Sequence, residues 1–125
     1  MTRHKKCLLI VDDDLAILEG LHLALSDSYT IYCASSGQEA RGLLEGQRID
    51  LVVLDVFLDD VSGFDLLQEI KRLWGIPVLV ITGTVSDGVQ AGVQKAQADD
   101  YLLKPFDIRE LRRRLDRLVV VPPPR

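Results

Sequence analysis

Asp50-Leu-Val-Val-Leu-Asp55-Val-Phe-Leu-Asp59-Asp60 sets four apolar residues, Leu51 to Leu54, directly before a carboxylate. The run is too short for a helix and is bounded by polar residues. It reads as a strand buried on both faces, the kind found inside a parallel sheet. A carboxylate at the end of such a strand is costly unless it faces water, a cation or a partner at the sheet edge.

Three other runs behave the same way. Cys7-Leu-Leu-Ile-Val11 ends in Asp12, Asp13 and Asp14; Pro77-Val-Leu-Val-Ile81 ends in Thr82; Tyr101-Leu-Leu103 ends in Lys104. Segments with helical spacing lie between them. Alternating strand and helix predicts one parallel sheet with helices on its faces, an α/β doubly wound domain. Parallel strands finish on one edge, and open α/β sheets bind ligands there. The sequence thus carries several carboxylates, a hydroxyl and an ammonium to a single rim.

Composition bounds the reading. The chain has 125 residues, 47% hydrophobic and 27% charged, with net charge −4. These are values of one globular domain. The acidic balance argues against whole-domain nucleic-acid binding and leaves room only for a local basic patch. Cys7 and Cys33 fall in expected strands and read as small buried hydrophobes in a reducing compartment, with a disulfide as the minor alternative. No apolar run approaches a membrane span, and the five-residue run after Met1-Thr-Arg-His-Lys-Lys6 is too short for a signal peptide. A cytoplasmic protein is expected.

Along the chain, residues 1–6 read as a lead-in. His4 and His22 have no second ligand type at metal spacing. Asp14 or a neighbour caps a helix of about 14–26, with Leu15, Leu18, Leu21, His22 and Leu25 on one face. Tyr29 to Ala34 is β-rich and ends uncharged in Ser35-Ser36, which suits an edge strand. Ser36 and Glu39 have capping-box spacing for a helix of about 37–45. Gly63 opens a helix to about Leu73, with Leu66, Leu67, Ile70 and Leu73 on its buried face and Trp74 as an anchor at its end. Gly75 and Pro77 turn the chain into the next strand. Val85 to Ala96 is weakly helical, because Gly88 and Gly92 each cost about 1 kcal/mol. Asp107 and Glu110 have capping-box-like spacing for a last helix to about Leu118. Residues 119–125 form a proline tail that fits the start of a linker.

If Asp12, Asp13 and Asp55 lie about 5 Å apart, each pair repels by roughly 3 kcal/mol at an effective dielectric near 20. Protons or a cation relieve this, and oxygen-only ligands on a wet rim favour Mg²⁺. One carboxylate can then attack a phosphoryl group, with Lys104 and the metal neutralising its oxygens and Thr82 donating to one. Each residue alone has a plain reading: a cap, a turn former, a solvated lysine, a strand-end threonine. Their joint arrival at successive strand ends is the signal.

Leu9-Ile-Val-Asp12-Asp13-Asp14, Leu54-Asp55 through Ser62-Gly63, Val80-Ile-Thr82-Gly83 and Asp99-Asp100-Tyr-Leu-Leu-Lys104-Pro105-Phe106 resemble the CheY-like receiver domain of two-component response regulators. The likeness spans about residues 5–120, in order. It implies a flavodoxin-like fold with strand order 2-1-3-4-5 and a receiver domain over about 7–118. It implies that Asp55 takes a phosphoryl group from the phosphohistidine of a sensor histidine kinase or phosphotransfer protein. Mg²⁺ would be held by Asp13, Asp55 and the Phe57 carbonyl, with Asp12 acting through water. Lys104 and Thr82 would contact the phosphoryl group. Thr82 and Tyr101 would form a switch that remodels the face made by the fourth helix, fifth strand and fifth helix. A cis Lys104–Pro105 bond also follows from the likeness, and the proline tail is compatible with an effector domain after residue 120.

The chain departs from the pattern at Asp59, where relatives carry Pro, and at Gln97, where they carry Gly. Asp59 suggests a looser loop and adds a carboxylate near the metal. Phe57 and Thr84 offer no acid or amide to orient an attacking water, which implies a phosphoryl lifetime of many minutes. The last helix carries Arg109, Arg112, Arg113, Arg114 and Arg117. It reads as a solvated face, as a homodimer or partner face in which Asp100, Glu110 and Arg114 match pairing positions, or least of all as a DNA contact. Two other classes compete with the signalling reading. A haloacid-dehalogenase phosphatase requires an Asp where this chain has Phe57. A phosphate-independent receiver-like module has no need of the full set Asp12, Asp13, Asp55, Thr82 and Lys104.

Overall fold

A computed structural model describes residues 5–83 and 87–119. Expectations for residues 1–4 with His4, for Thr84, Val85 and Ser86, and for 120–125 lie outside the described residues. The elements are β1 Lys6–Val11, α1 Leu15–Leu25, β2 Tyr29–Ala34, α2 Gly37–Gly46, β3 Leu51–Asp55, α3 Gly63–Leu73, β4 Val78–Thr82, α4 Asp87–Lys95, β5 Asp100–Leu103 and α5 Ile108–Val119.

All neighbouring strands pair in parallel, in the order β2-β1-β3-β4-β5. The flavodoxin-like order is the one the resemblance implied. Period-2 alternation divides each central strand between two cores. Leu9, Val11, Val52, Leu54, Val78 and Val80 pack with Ala40, Leu44, Leu66, Leu67, Ile70 and Val93, beneath α2, α3 and α4. Leu8, Ile10, Leu51, Val53, Leu79 and Ile81 pack with Leu18, Leu21, Leu25, Leu111 and Leu115, beneath α1 and α5. Each such Leu or Ile contributes about 1.5–3 kcal/mol when fully buried. Every residue of β3 and β4 is buried, as a double-faced core strand requires.

Several expectations need correction. Leu15 is 63% exposed and His22 is also exposed, so the buried stripe of α1 narrows to Leu18, Leu21 and Leu25. Leu73, the last residue of α3, is 55% exposed. Cys33 is exposed and Cys7 only partly buried; both are free thiols. Cys33 lies on β2, which has a neighbour on one side only.

The local signals fare well. Asp14 accepts from the Ala16 amide at 3.0 Å and caps α1. Ser36 Oγ accepts from the Glu39 amide at 3.1 Å, and Glu39 reaches back to the Ser35 amide and hydroxyl at 2.7 and 2.8 Å. At α5 the box is one-sided. Asp107 accepts from the Arg109 amide at 2.7 Å, whereas Glu110 turns to Arg113 and Arg114. Gly75, at φ 66°, ends α3 with its amide on the Ile70 carbonyl. Trp74 is the half-buried residue just before it.

Candidate functional site

The C-terminal ends of β1, β3, β4 and β5 bring Asp12, Asp13, Asp55, Thr82 and Lys104 to one rim. Asp12 and Thr82 have no exposure and Asp55 has 6%, while Asp13 is exposed. Buried carboxylates need partners, and these two are fully provided for. Asp12 accepts from the Asp14 amide through Oδ1 at 2.9 Å and from Lys104 Nζ through Oδ2 at 2.9 Å. Asp55 accepts from the Phe57 amide through Oδ1 at 2.9 Å and from Lys104 Nζ through Oδ2 at 3.0 Å. One ammonium therefore bridges both buried anions. The Lys104 amide donates to the Thr82 carbonyl at 2.8 Å, and the Lys104–Pro105 bond is cis.

Electrostatics follow from this crowding. Burial works against the Lys104 charge, but the bonds to Asp12 and Asp55 outweigh it and raise its pKa. Asp13 shifts upward through partial desolvation, then through the like charges of Asp59, Asp12 and Asp55. A carboxylate oxygen from each of Asp12, Asp13 and Asp55 lies within 4.8 Å of the others. An all-oxygen, three-carboxylate set with one face open to water fits a hard divalent cation such as Mg²⁺.

Phe57 stands two residues beyond Asp55 and forms an antiparallel bridge with Ser62. Its side chain is 48% exposed and meets Phe64 edge-on, with centroids 6.4 Å apart. The β3–α3 loop is held at its base, where the Gly63 amide donates to the Val56 carbonyl at 3.1 Å. A Cβ on Gly63 would lie 2.2 Å from Val56 Cα, so only glycine permits that approach. Tyr101 is half-buried on β5. Its amide bonds to the Asp100 carboxylate, and its carbonyl accepts from Arg114.

The arginines of α5 are mostly engaged within the chain. Arg114 pairs with Asp100 at 2.8 Å and Glu110 at 2.7 Å. Arg113 pairs with Glu110 and Arg109 with Asp107. Arg112 reaches the Ala24 carbonyl, Ser28 and Asp27. The residues at the expected pairing positions are thus already paired inside one chain. Sequence reasoning did not find that Asp60 bonds the start of α2, that Asp99 ties Lys71 to the Val78 amide, or that Tyr29 donates to Asp116. These join residues 21 to 87 positions apart, and no local pattern marks them.

The family model for the response regulator receiver domain matches residues 8–116. The chain belongs to the response regulator receiver family. It is 39% identical over 109 residues to the heme response regulator HssR of Staphylococcus aureus, covering 82% of this chain and 46% of that protein. It is 37% identical over 114 residues to the response regulator MprA of Mycolicibacterium vanbaalenii, covering 90% and 49%. The chain spans about half the length of these regulators. A CheY-like receiver domain protein from Methanospirillum hungatei superimposes with TM-score 0.86 at 30% identity, over 90% of this chain and 92% of that one. Among the described residues, no helix of this receiver domain is long and apolar enough to cross a membrane.

Proposed function

We propose that Asp55 accepts a phosphoryl group from the phosphohistidine of a sensor histidine kinase or phosphotransfer protein, in a Mg²⁺-dependent reaction. The observation that carries this is the Lys104 bridge to Asp12 and Asp55 at 2.9 and 3.0 Å, with Asp13 beside it. A carboxylate oxygen of Asp55 attacks phosphorus, the P–N bond to the donor imidazole breaks, and an acyl phosphate forms. Lys104, already on Asp55, follows the charge onto the phosphoryl oxygens. Thr82, buried at the end of β4, donates its hydroxyl to one of them. Asp13, Asp55 and the Phe57 carbonyl would hold Mg²⁺, with Asp12 contributing through water. Bound there, the ion supplies charge neutralisation and orients the entering group.

The switch would run through Thr82 to Tyr101, altering the face made by α4, β5 and α5. A homodimer through α5 would have to exchange the internal Arg114 pairs for pairs across the interface. The receiver domain is taken as 7–118, with residues 1–6 as a lead-in and 119–125 leading toward an effector domain, in a cytoplasmic regulator. Its outputs do not include direct nucleic-acid contact by this domain. Phe57 gives the water path no acidic or amide group, so the acyl phosphate should last many minutes; a half-life of seconds would refute this.

The test is intact mass after incubation with a small phosphodonor, with and without Mg²⁺, on wild type and Asp55→Ala. One phosphoryl group gained only with Mg²⁺ and only in wild type supports the reading. No gain under conditions that label another receiver domain overturns it in favour of a phosphate-independent interaction module.

A further inference from the structure

Asp60 lies in the β3–α3 loop, yet both of its carboxylate oxygens are spent on another element. Oδ1 accepts from the Gly37 amide at 2.9 Å and Oδ2 from the Gln38 amide at 3.0 Å, the first two residues of α2. That helix already has a cap, because Ser36 Oγ takes the third amide, that of Glu39. Ser36 leaves the Gly37 and Gln38 donors over, and they point at the loop. The carboxylate also meets the positive end of the α2 dipole. These two amide bonds hold the Asp60 carboxyl below its ordinary pKa, so the anion persists under all mild conditions.

An apolar contact lies beside the polar one. A Cβ on Gly37 would fall 2.1 Å from Val61 Cγ2, so Gly37 is the residue that lets the loop approach. The base of the loop is closed by Gly63 on Val56 and by the Phe57–Ser62 bridge. Those ties fix the loop against its own strand. The Asp60 carboxylate fixes its tip against the body of the domain. Two bonds from one carboxylate set orientation as well as distance.

Phe57 stands three residues before Asp60, and Asp59 stands immediately before it. Asp59 is the foremost of the like charges acting on Asp13. The placement of the Phe57 carbonyl and of the Asp59 charge therefore depends on where the loop tip is held. We propose that Asp60 is a positioning residue of the acceptor site, holding the β3–α3 loop on the N-terminus of α2 so that the metal-binding rim is preformed. The proposal rests on the Mg²⁺ reading given above. It makes α2 an energetic part of the site, although α2 contributes no side chain to it.

The experiment is Mg²⁺ titration by calorimetry on wild type, Asp60→Ala, Asp60→Asn and Gly37→Ala, at a temperature where circular dichroism shows each to be folded. Partners that orient metal ligands are worth about 10–100-fold in affinity, and the lower end applies to an exposed tether. Asp60→Ala is expected to bind Mg²⁺ about tenfold more weakly, with Asp60→Asn recovering part of the loss through its one remaining oxygen. Gly37→Ala, which pushes on Val61 with Asp60 intact, should weaken binding as well. Linkage requires the reverse effect too: Mg²⁺ should slow amide exchange at Gly37 and Gln38 in wild type, and not at other helix starts. If Asp60→Ala melts lower but binds Mg²⁺ as wild type does, Asp60 is a helix cap only and the proposal falls alone. If wild type binds no Mg²⁺, the proposal and the Mg²⁺ reading fall together.

Discussion

Replacing Asp13 with Asn should stabilise the metal-free domain while destroying its response to Mg²⁺. The carboxylates of Asp12, Asp13 and Asp55 approach within 4.8 Å. At that separation two like charges repel by roughly 0.9 kcal/mol in water and roughly 3.5 kcal/mol at an effective dielectric of 20. Asp13 is exposed, so the lower figure governs, and it applies once for each of two partners. Loss of the weaker attraction to Lys104 offsets part of the gain, leaving about 1 kcal/mol. For a domain of this size that is a rise in Tm of roughly 3–6 °C. The assay is thermal unfolding of both proteins in chelator and across a Mg²⁺ series. Wild type should gain about 1.4 kcal/mol at ten times its Kd, and the variant should gain nothing. A variant that melts at or below wild type in chelator, or that Mg²⁺ stabilises equally, would refute the geometry of the rim.

Gln97 sits at φ 67°, a conformation that costs a side-chain-bearing residue about 1–2 kcal/mol. Gln97→Gly should therefore raise stability in urea unfolding by about 0.5–1 kcal/mol, since the glycine adds some unfolded-state entropy; a loss of stability would contradict the strain. Two glycines of α4 should respond oppositely to alanine. A Cβ at Gly88 meets nothing within 4 Å, so Gly88→Ala should gain about 0.5–1 kcal/mol by helix propensity. A Cβ at Gly92 would lie 2.8 Å from Phe64 Cε1, so Gly92→Ala should lose that gain as the ring is displaced; equal gains at both sites would refute the α3–α4 packing. The raised Asp13 pKa fixes a sign in pH. The folded state holds this proton more tightly than the unfolded chain, so the group's stabilising contribution is present at low pH and lost as pH rises through the folded value. Mg²⁺ requires the charged form, so affinity should begin to fall at a higher pH than for an Asp of ordinary pKa; a fall that begins no earlier than that would refute the shift.

The fold was legible wherever a pattern is local. The four apolar runs, the Ser36 cap, Gly75 and the uncharged end of β2 all depend on neighbours within a few positions. The misjudged residues sit where burial depends on distant elements. Leu15 has the right helical phase for the core of α1, but it is the first residue of the helix, next to the Asp14 cap, and is 63% exposed. Cys33 has the strand period, but an edge strand has no second neighbour to cover it. The site was legible because each residue sits at a strand end and the topology does the assembling. Asp60 was not legible, because a carboxylate in an acidic loop carries no mark that it belongs to a helix 22 residues earlier.

The distribution of burial explains how the rim holds three carboxylates beside a single lysine. Asp12 and Asp55 are both buried, and each divides its two oxygens between a backbone amide and Lys104. The amides are fixed by the turns that follow β1 and β3, so these carboxylates cannot rotate away from one another. One ammonium compensates two buried anions and leaves a single excess charge inside. The third carboxylate, Asp13, is placed in water, where its repulsion is screened. The negative charge that Lys104 does not balance is therefore shared between the buried pair and the open side, where an incoming cation loses the least hydration on arrival. Lys104, unlike an arginine, suits the bridge: a compact ammonium on a flexible stem can stay with Asp12 and follow Asp55 as that group changes. The rim is thus short of positive charge on the side where a divalent cation would enter.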